Sequence, residues 1–154
     1  MRKLEKKLWI IRRMLSFDLS LAQLYDVYIK EVRSILELAV PVWHPGLTVK
    51  QKTDIESIQK VAFRIILQDS YISYQLACAT LGAESLDDRL TRLCQKFAVK
   101  NVKSENSLFS IPVNHFNTRQ GGTNVREYKC NTKRFQKSSL PFLAKLLNTI
   151  KWTK

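Results

Sequence analysis

An all-α fold, a small bundle of four to six helices with a basic and partly irregular C-terminal third, is what this sequence predicts. Apolar residues recur three and four positions apart along most of the first hundred residues, the spacing of a helix face. Capping and breaking residues fall between those stretches rather than inside them. Beyond residue 103 the periodicity fades into Asn, Ser, Thr, Gln120-Gly121-Gly122 and many Lys and Arg, and it returns only near the end. These shifts divide the chain into a helical domain over 1–103, a basic irregular segment over 104–137 and a terminal helix over 138–150.

The first helix is expected over 2–16, with Leu4, Leu8, Ile11 and Leu15 on one face and Lys and Arg on the other. Ser16-Phe17-Asp18 breaks it. Ser20 caps a second helix, whose stripe is Leu21, Leu24, Tyr25, Tyr28, Val32, Ile35, Leu36 and Ala39. Pro41 disfavours helical geometry at Val40, so this helix is expected to run to that point, and Pro45-Gly46 makes a turn. Thr48 is a good N-cap for a third helix over 49–67, with Ile55, Ile58, Ala62, Ile65 and Ile66 inward and Lys50, Lys52, Lys60 and Arg64 outward. A short helix over 72–80 stops at Gly82. Ser85 and Asp88 form a weaker capping box, because its last place prefers Glu or Gln. In the helix that follows, Leu86, Leu90, Leu93, Phe97 and Val102 face inward, alternating with Arg89, Arg92, Lys96 and Lys100. Val125 to Cys130 reads as a short strand. Ser139, ahead of Pro141 in a first turn, starts a terminal helix with Leu140, Leu143, Leu146 and Leu147 on one face.

The formal net charge is +13, and its distribution matters more than its size. Six Lys and Arg face one Glu in residues 1–13; eight basic residues face ten acidic ones in 14–94; twelve face two in 95–154. A near-neutral middle therefore lies between two cationic ends, which attract phosphate backbones through counterion release. No apolar run approaches the roughly 18 residues that span a membrane, so no membrane partner is expected. The basic start lacks the long apolar region and cleavage site of a signal peptide. Cys78, Cys94 and Cys130 are widely spaced with no Cys-x-x-Cys, and His44 and His115 have no ligand partner nearby, so the sequence offers no metal site. Cys78 and Cys94 read as small core residues. Asp87-Asp88 follows a Leu in a helical first turn, where negative charge favours the helix dipole. No glycine-rich phosphate loop is present.

Three blocks carry a resemblance. Ile35-Leu36-Glu37-Leu38-Ala39 leads into Pro41-Val42-Trp43-His44-Pro45, then Leu47-Thr48 and the helix Ile55 to Leu67. Leu81-Gly82 leads to Leu86, Arg89, Leu93-Cys94 and Lys96-Phe97-Ala98. Arg134-Phe135 precedes Ser138-Ser139-Leu140-Pro141-Phe142-Leu143, then Leu146-Leu147-Asn148. In order and spacing, these resemble the region after the polymerase core in reverse transcriptases of non-LTR (LINE-type) retrotransposons. The resemblance implies a thumb and post-polymerase region that grips template–primer, RNA or RNA–DNA hybrid, without regard to sequence. It implies no catalytic residues and no cofactor in this chain. The paired aspartates and their divalent metal belong to an upstream polymerase domain, the second partner, and an intracellular place, nucleus or cytoplasm, follows.

Charge placement nominates Lys6, Lys7, Arg12, Arg13, Lys60 and Arg64 as phosphate contacts, with Arg126, Lys129, Lys133, Arg134 and Lys137 extending the footprint. Tyr128 and Phe135, set among these cations, are the better candidates for stacking on bases; Tyr71, Tyr74 and Trp152 are others. Trp43 is expected to wedge the next helix into the core. Two alternatives stand beside this reading. One is a basic helical protein-interaction module, using the terminal helix and the helix of Tyr25 and Tyr28. The other is a truncated retroelement remnant without function.

Overall fold

The computed structural model describes residues 2–102, 116–117, 123–125 and 127–149. The fold is all-α, and the chain divides into two compact units: Met1–Leu38 with Thr48–Arg89, and Ala39–Leu47 with Leu90–Lys154.

The first unit is built around α5 (Val49–Leu67). Helix α1 (Arg2–Met14) buries Leu8 and Ile11 and packs on α5 and on α2 (Leu21–Tyr28). A 3-10 turn, Leu15–Phe17, closes α1, and Asp18 turns the chain with φ 50°. Ser20 then starts α2 with a full capping box: its hydroxyl accepts from Gln23 N, and Gln23 Oε1 accepts from Ser20 N at 2.9 Å. Thr48 and Gln51 repeat the device at the start of α5.

The helix after Ser20 departs from expectation in two ways. It passes through a π turn, Ile29–Arg33, into α3 (Ser34–Glu37). Its buried residues are Leu24, Tyr28, Val32 and Leu36, each four apart, while Leu21, Ile35 and Ala39 are exposed. A four-residue step overruns a 3.6-residue turn by about 40°, so three steps would carry the stripe about 120° around an α-helix. The wider π turn absorbs part of that drift and keeps the four side chains inward. The helix also ends at Glu37, short of Pro41. Leu38 is extended and Ala39 is left-handed at φ 51°, so the chain breaks there. Val40 opens a new turn, α4 (Val40–Trp43), and Pro41 sits in its first turn, where a missing N–H costs nothing.

Phe63 of α5 is the centre of the first unit's core. It meets Tyr28 edge-on at 5.5 Å between ring centroids, and Tyr25 and Tyr74 at 6.1 Å each. Ile58, Ala62, Ile66 and Leu67 are buried beside it, and Ile55 and Ile65 are half-buried. Ser73 caps α6 (Tyr74–Leu81), which ends at Gly82 in a left-handed conformation, φ 60°. The next helix, α7 (Leu86–Val102), opens on Ser85, whose hydroxyl donates to Asp88 Oδ2 (2.6 Å) and accepts from Asp88 N (3.2 Å). Along α7 the buried positions are Leu86, Leu90, Cys94 and Ala98; Leu93 and Phe97, expected inward, are half-buried. Val102 has its side chain outside the described residues. Cys94 is a core residue, whereas Cys78 is only half-buried.

In the second unit, α4 and the 3-10 turn His44–Gly46 lie against α9 (Ser139–Thr149). Ser139 Oγ donates to the Val42 carbonyl at 3.2 Å. The wedge at this corner is His44, not Trp43: His44 is buried with its ring 6.1 Å from Phe142, while Trp43 is half-buried. Trp43 closes α4 and His44 is the residue turned toward α9, so the smaller ring takes the inward place. Pro141, Leu143, Ala144 and Leu147 of α9 are buried. A two-residue antiparallel ladder joins β1 (Phe116–Asn117) to β2 (Thr123–Asn124). The strand expected at 125–130 is absent among the described residues there. At Val125 the Asn148 amide accepts from N (2.8 Å) and donates to O (3.0 Å), taking both groups a ladder would need at that residue. Thr132 caps α8 (Lys133–Gln136), one turn of basic helix.

Candidate nucleic-acid interface

Several acidic residues of the first unit are spent internally. Glu31 pairs with Lys7 at 2.5 Å. Glu37 accepts from Arg33 at 3.1 Å and from Arg89 through both carboxylate oxygens, at 2.8 and 3.2 Å. The hydrogen bonds to Glu37 push the Arg89 pKa still higher, so its guanidinium stays charged. Asp87, beside Asp88 in the first turn of α7, takes Lys52 at 3.0 Å. Glu56 is used differently. It accepts from Leu86 N and Asp87 N, both at 3.1 Å, and from the Tyr74 hydroxyl. A carboxylate on α5 thus caps α7 from 30 residues away, a role without a local sequence signal.

A polar chain runs from Glu56 into the core. Gln59, buried on α5, donates to Tyr74 Oη and to the Glu84 carbonyl, both at 2.9 Å, and accepts from Tyr28 Oη at 2.7 Å. Burial pushes the Tyr28 phenol far up. Burial first, then the Glu56 hydrogen bond, does the same to Tyr74. Sequence periodicity missed Gln59, because it put only apolar residues inside.

The nominated cations fall into groups. Lys6, Arg12 and Arg13 lie at exposed positions of α1 and form no ion pair among the described residues. Lys7 is paired with Glu31. On α5, Lys60 stands over the Tyr74 ring and Arg64 over the Tyr71 ring, each 5.2 Å from the centroid. Such stacking engages a guanidinium's face and leaves its edge donors for a phosphate. In the second unit, Lys129, Lys133, Arg134 and Lys137 are exposed around Tyr128 and Phe135. Those two rings meet edge to face at 6.1 Å, and Phe135 remains 38% exposed. Burial raises the Tyr128 phenol. Arg126 and Trp152 lie outside the described residues. Among the described residues two exposed aromatics were not nominated: Trp9, on the outward side of α1, and Phe17, just after that helix.

No group of three His, Cys, Asp or Glu among the described residues could hold a metal ion, and no described helix is long and apolar enough to cross a membrane. On the terminal helix Leu143 and Leu147 are buried while Leu140 and Leu146 are half-buried, and on the helix of Tyr25 and Tyr28 the Tyr28 ring is buried and Tyr25 half-buried. No protein-family model matches this chain, and no curated protein or solved structure matches it either.

Proposed function

We propose that this chain is a nucleic-acid-gripping module of the kind found in the thumb and post-polymerase region of a non-LTR retrotransposon reverse transcriptase. It binds template–primer, RNA or RNA–DNA hybrid, without regard to sequence, and performs no chemistry by itself. A polymerase domain with its divalent ions is the partner that supplies the chemistry.

The carrying observation is the asymmetry of ion pairing. Among the described residues, Glu31, Glu37 and Asp87 are each held by a Lys or Arg, while Lys6, Arg12, Arg13 and the cations at 129–137 form no ion pair. Surface cations without carboxylate partners release phosphate counterions on binding. The test is a titration of the chain with an RNA–DNA hybrid across a salt series. Log affinity should fall linearly with log salt, and Arg13→Ala should reduce the slope by about 1. No binding at low salt, or a flat salt dependence, refutes the reading.

A protein-interaction module is the second reading, and one feature favours it. Leu21, Ala22, Tyr25, Asp26, Thr80 and Leu81 line a groove of about 370 Å³ in the first unit. A partner retained at high salt, at the expense of nucleic-acid binding, would support it.

A further inference from the structure

We infer that the outward face of α1 is a stacking platform for an unpaired nucleic-acid strand, with Trp9 at its centre; this rests on the nucleic-acid reading above. Trp9 is 61% exposed, although an indole is among the most favourable groups to bury. Its helical neighbours three and four positions away are Glu5, Lys6, Arg12 and Arg13, and the three cations are at exposed positions. Such spacing brings side chains within about 5–6 Å at the Cβ atoms, so a base stacked on the indole has its phosphates within reach of three cations. Phe17, four residues after Arg13 in the 3-10 turn that closes α1, is 62% exposed and offers a second ring. Asp18 follows at once and ends the cationic run.

The combination selects the ligand. A paired duplex hides its base faces in the stack and would use only the cations, whereas an unpaired strand can use rings and cations together. A membrane surface fits less well. Interfacial helices put the aromatic on the apolar face opposite the cations, but the apolar face of α1, Leu8 and Ile11, is already buried.

The experiment measures binding of the full chain to a labelled oligo(U) strand and to an RNA–DNA hybrid of equal length, at fixed salt. Trp9→Ala should weaken oligo(U) binding about tenfold or more and hybrid binding far less, while Trp9→Phe keeps most of the affinity. The salt slope should be unchanged in Trp9→Ala, because no phosphate contact is lost. Circular dichroism of Trp9→Ala should match the parent, since the side chain lies outside the core. Oligo(U) affinity unchanged in Trp9→Ala overturns this inference and leaves the nucleic-acid reading standing. Failure of the parent chain to bind either probe overturns both. Trp9-dependent binding to phosphatidylserine vesicles without oligo(U) binding assigns the face to lipid and overturns it as well.

Discussion

Replacing Gln59 with Leu tests whether the polar chain inside the first unit is a cooperative network. The Gln59 side chain is buried and makes three hydrogen bonds of 2.7 to 2.9 Å. Leucine has a similar volume, so no large cavity opens. The loss is the bonding: the Tyr28 hydroxyl, fully buried, is left without its acceptor, and the Glu84 carbonyl and Tyr74 each lose a donor. Each stranded buried polar group costs up to about 1–3 kcal/mol and three groups lose a partner here; the more apolar leucine returns part of that sum, so a net loss of about 2–4 kcal/mol is expected. Tyr28→Phe alone strands the other end of one bond and should cost about 1–2 kcal/mol. Combining them removes donor and acceptor together. The double variant should therefore be less destabilised than the sum of the singles, by about 1–3 kcal/mol. Urea unfolding followed by circular dichroism reads this as midpoint shifts at constant m-value. Additivity within about 0.5 kcal/mol would refute the network, and so would a stable Gln59→Leu single variant.

Three further outcomes are expected. Gly82→Ala should cost about 1 kcal/mol, because φ is 60° there and a Cβ would meet nothing within 4 Å, leaving backbone strain as the whole effect. Gly46→Ala, with open space and no positive φ, should stay within about 0.5 kcal/mol, and equal losses at both sites would contradict this assignment. Thr48→Ala should lower stability by about 1 kcal/mol through loss of the α5 capping box, read as a lower melting temperature; no change would mean the cap is idle. The third outcome concerns alkali. Tyr28 and Tyr74 have folded-state pKa values above the ordinary 10.0. Between those values the unfolded chain releases protons that the folded chain keeps, so stability should be level below about pH 10 and fall as pH rises past it. Tyr28→Phe should make that fall shallower, and stability rising above pH 10 would contradict the sign.

Local chemistry made much of the fold legible. Ser20, Thr48 and Ser85 mark helix starts through hydrogen bonds that reach three residues, and Gly82 marks a stop through its own φ. The stripe after Ser20 was harder to read, because its four-residue step is kept by a π turn, and no propensity scale predicts one there. The break at Leu38-Ala39 was hidden because Pro41 drew the boundary toward itself, and a non-glycine residue at φ 51° has no local marker. In the candidate interface, charge segregation was visible in the composition. Which cations are neutralised was not: Lys7 looked equivalent to Lys6 until α1 brought it to Glu31, 24 residues away. Trp9 was within reach of helical spacing, since it lies off the Leu8–Ile11 face.

By itself the sequence determined that the chain is helical, where most helices begin, and that two cationic ends flank a near-neutral middle. Those properties depend on neighbours within one turn or on simple counting. The tertiary structure decided how the middle spends its acids, that Glu56 caps a helix 30 residues away, that Gln59 belongs in the core, and that His44 rather than Trp43 fills the corner. The physical reason is common to all four. A buried or paired polar group is worth keeping only when a partner arrives with the right geometry, and these partners are brought together by packing rather than by proximity along the chain.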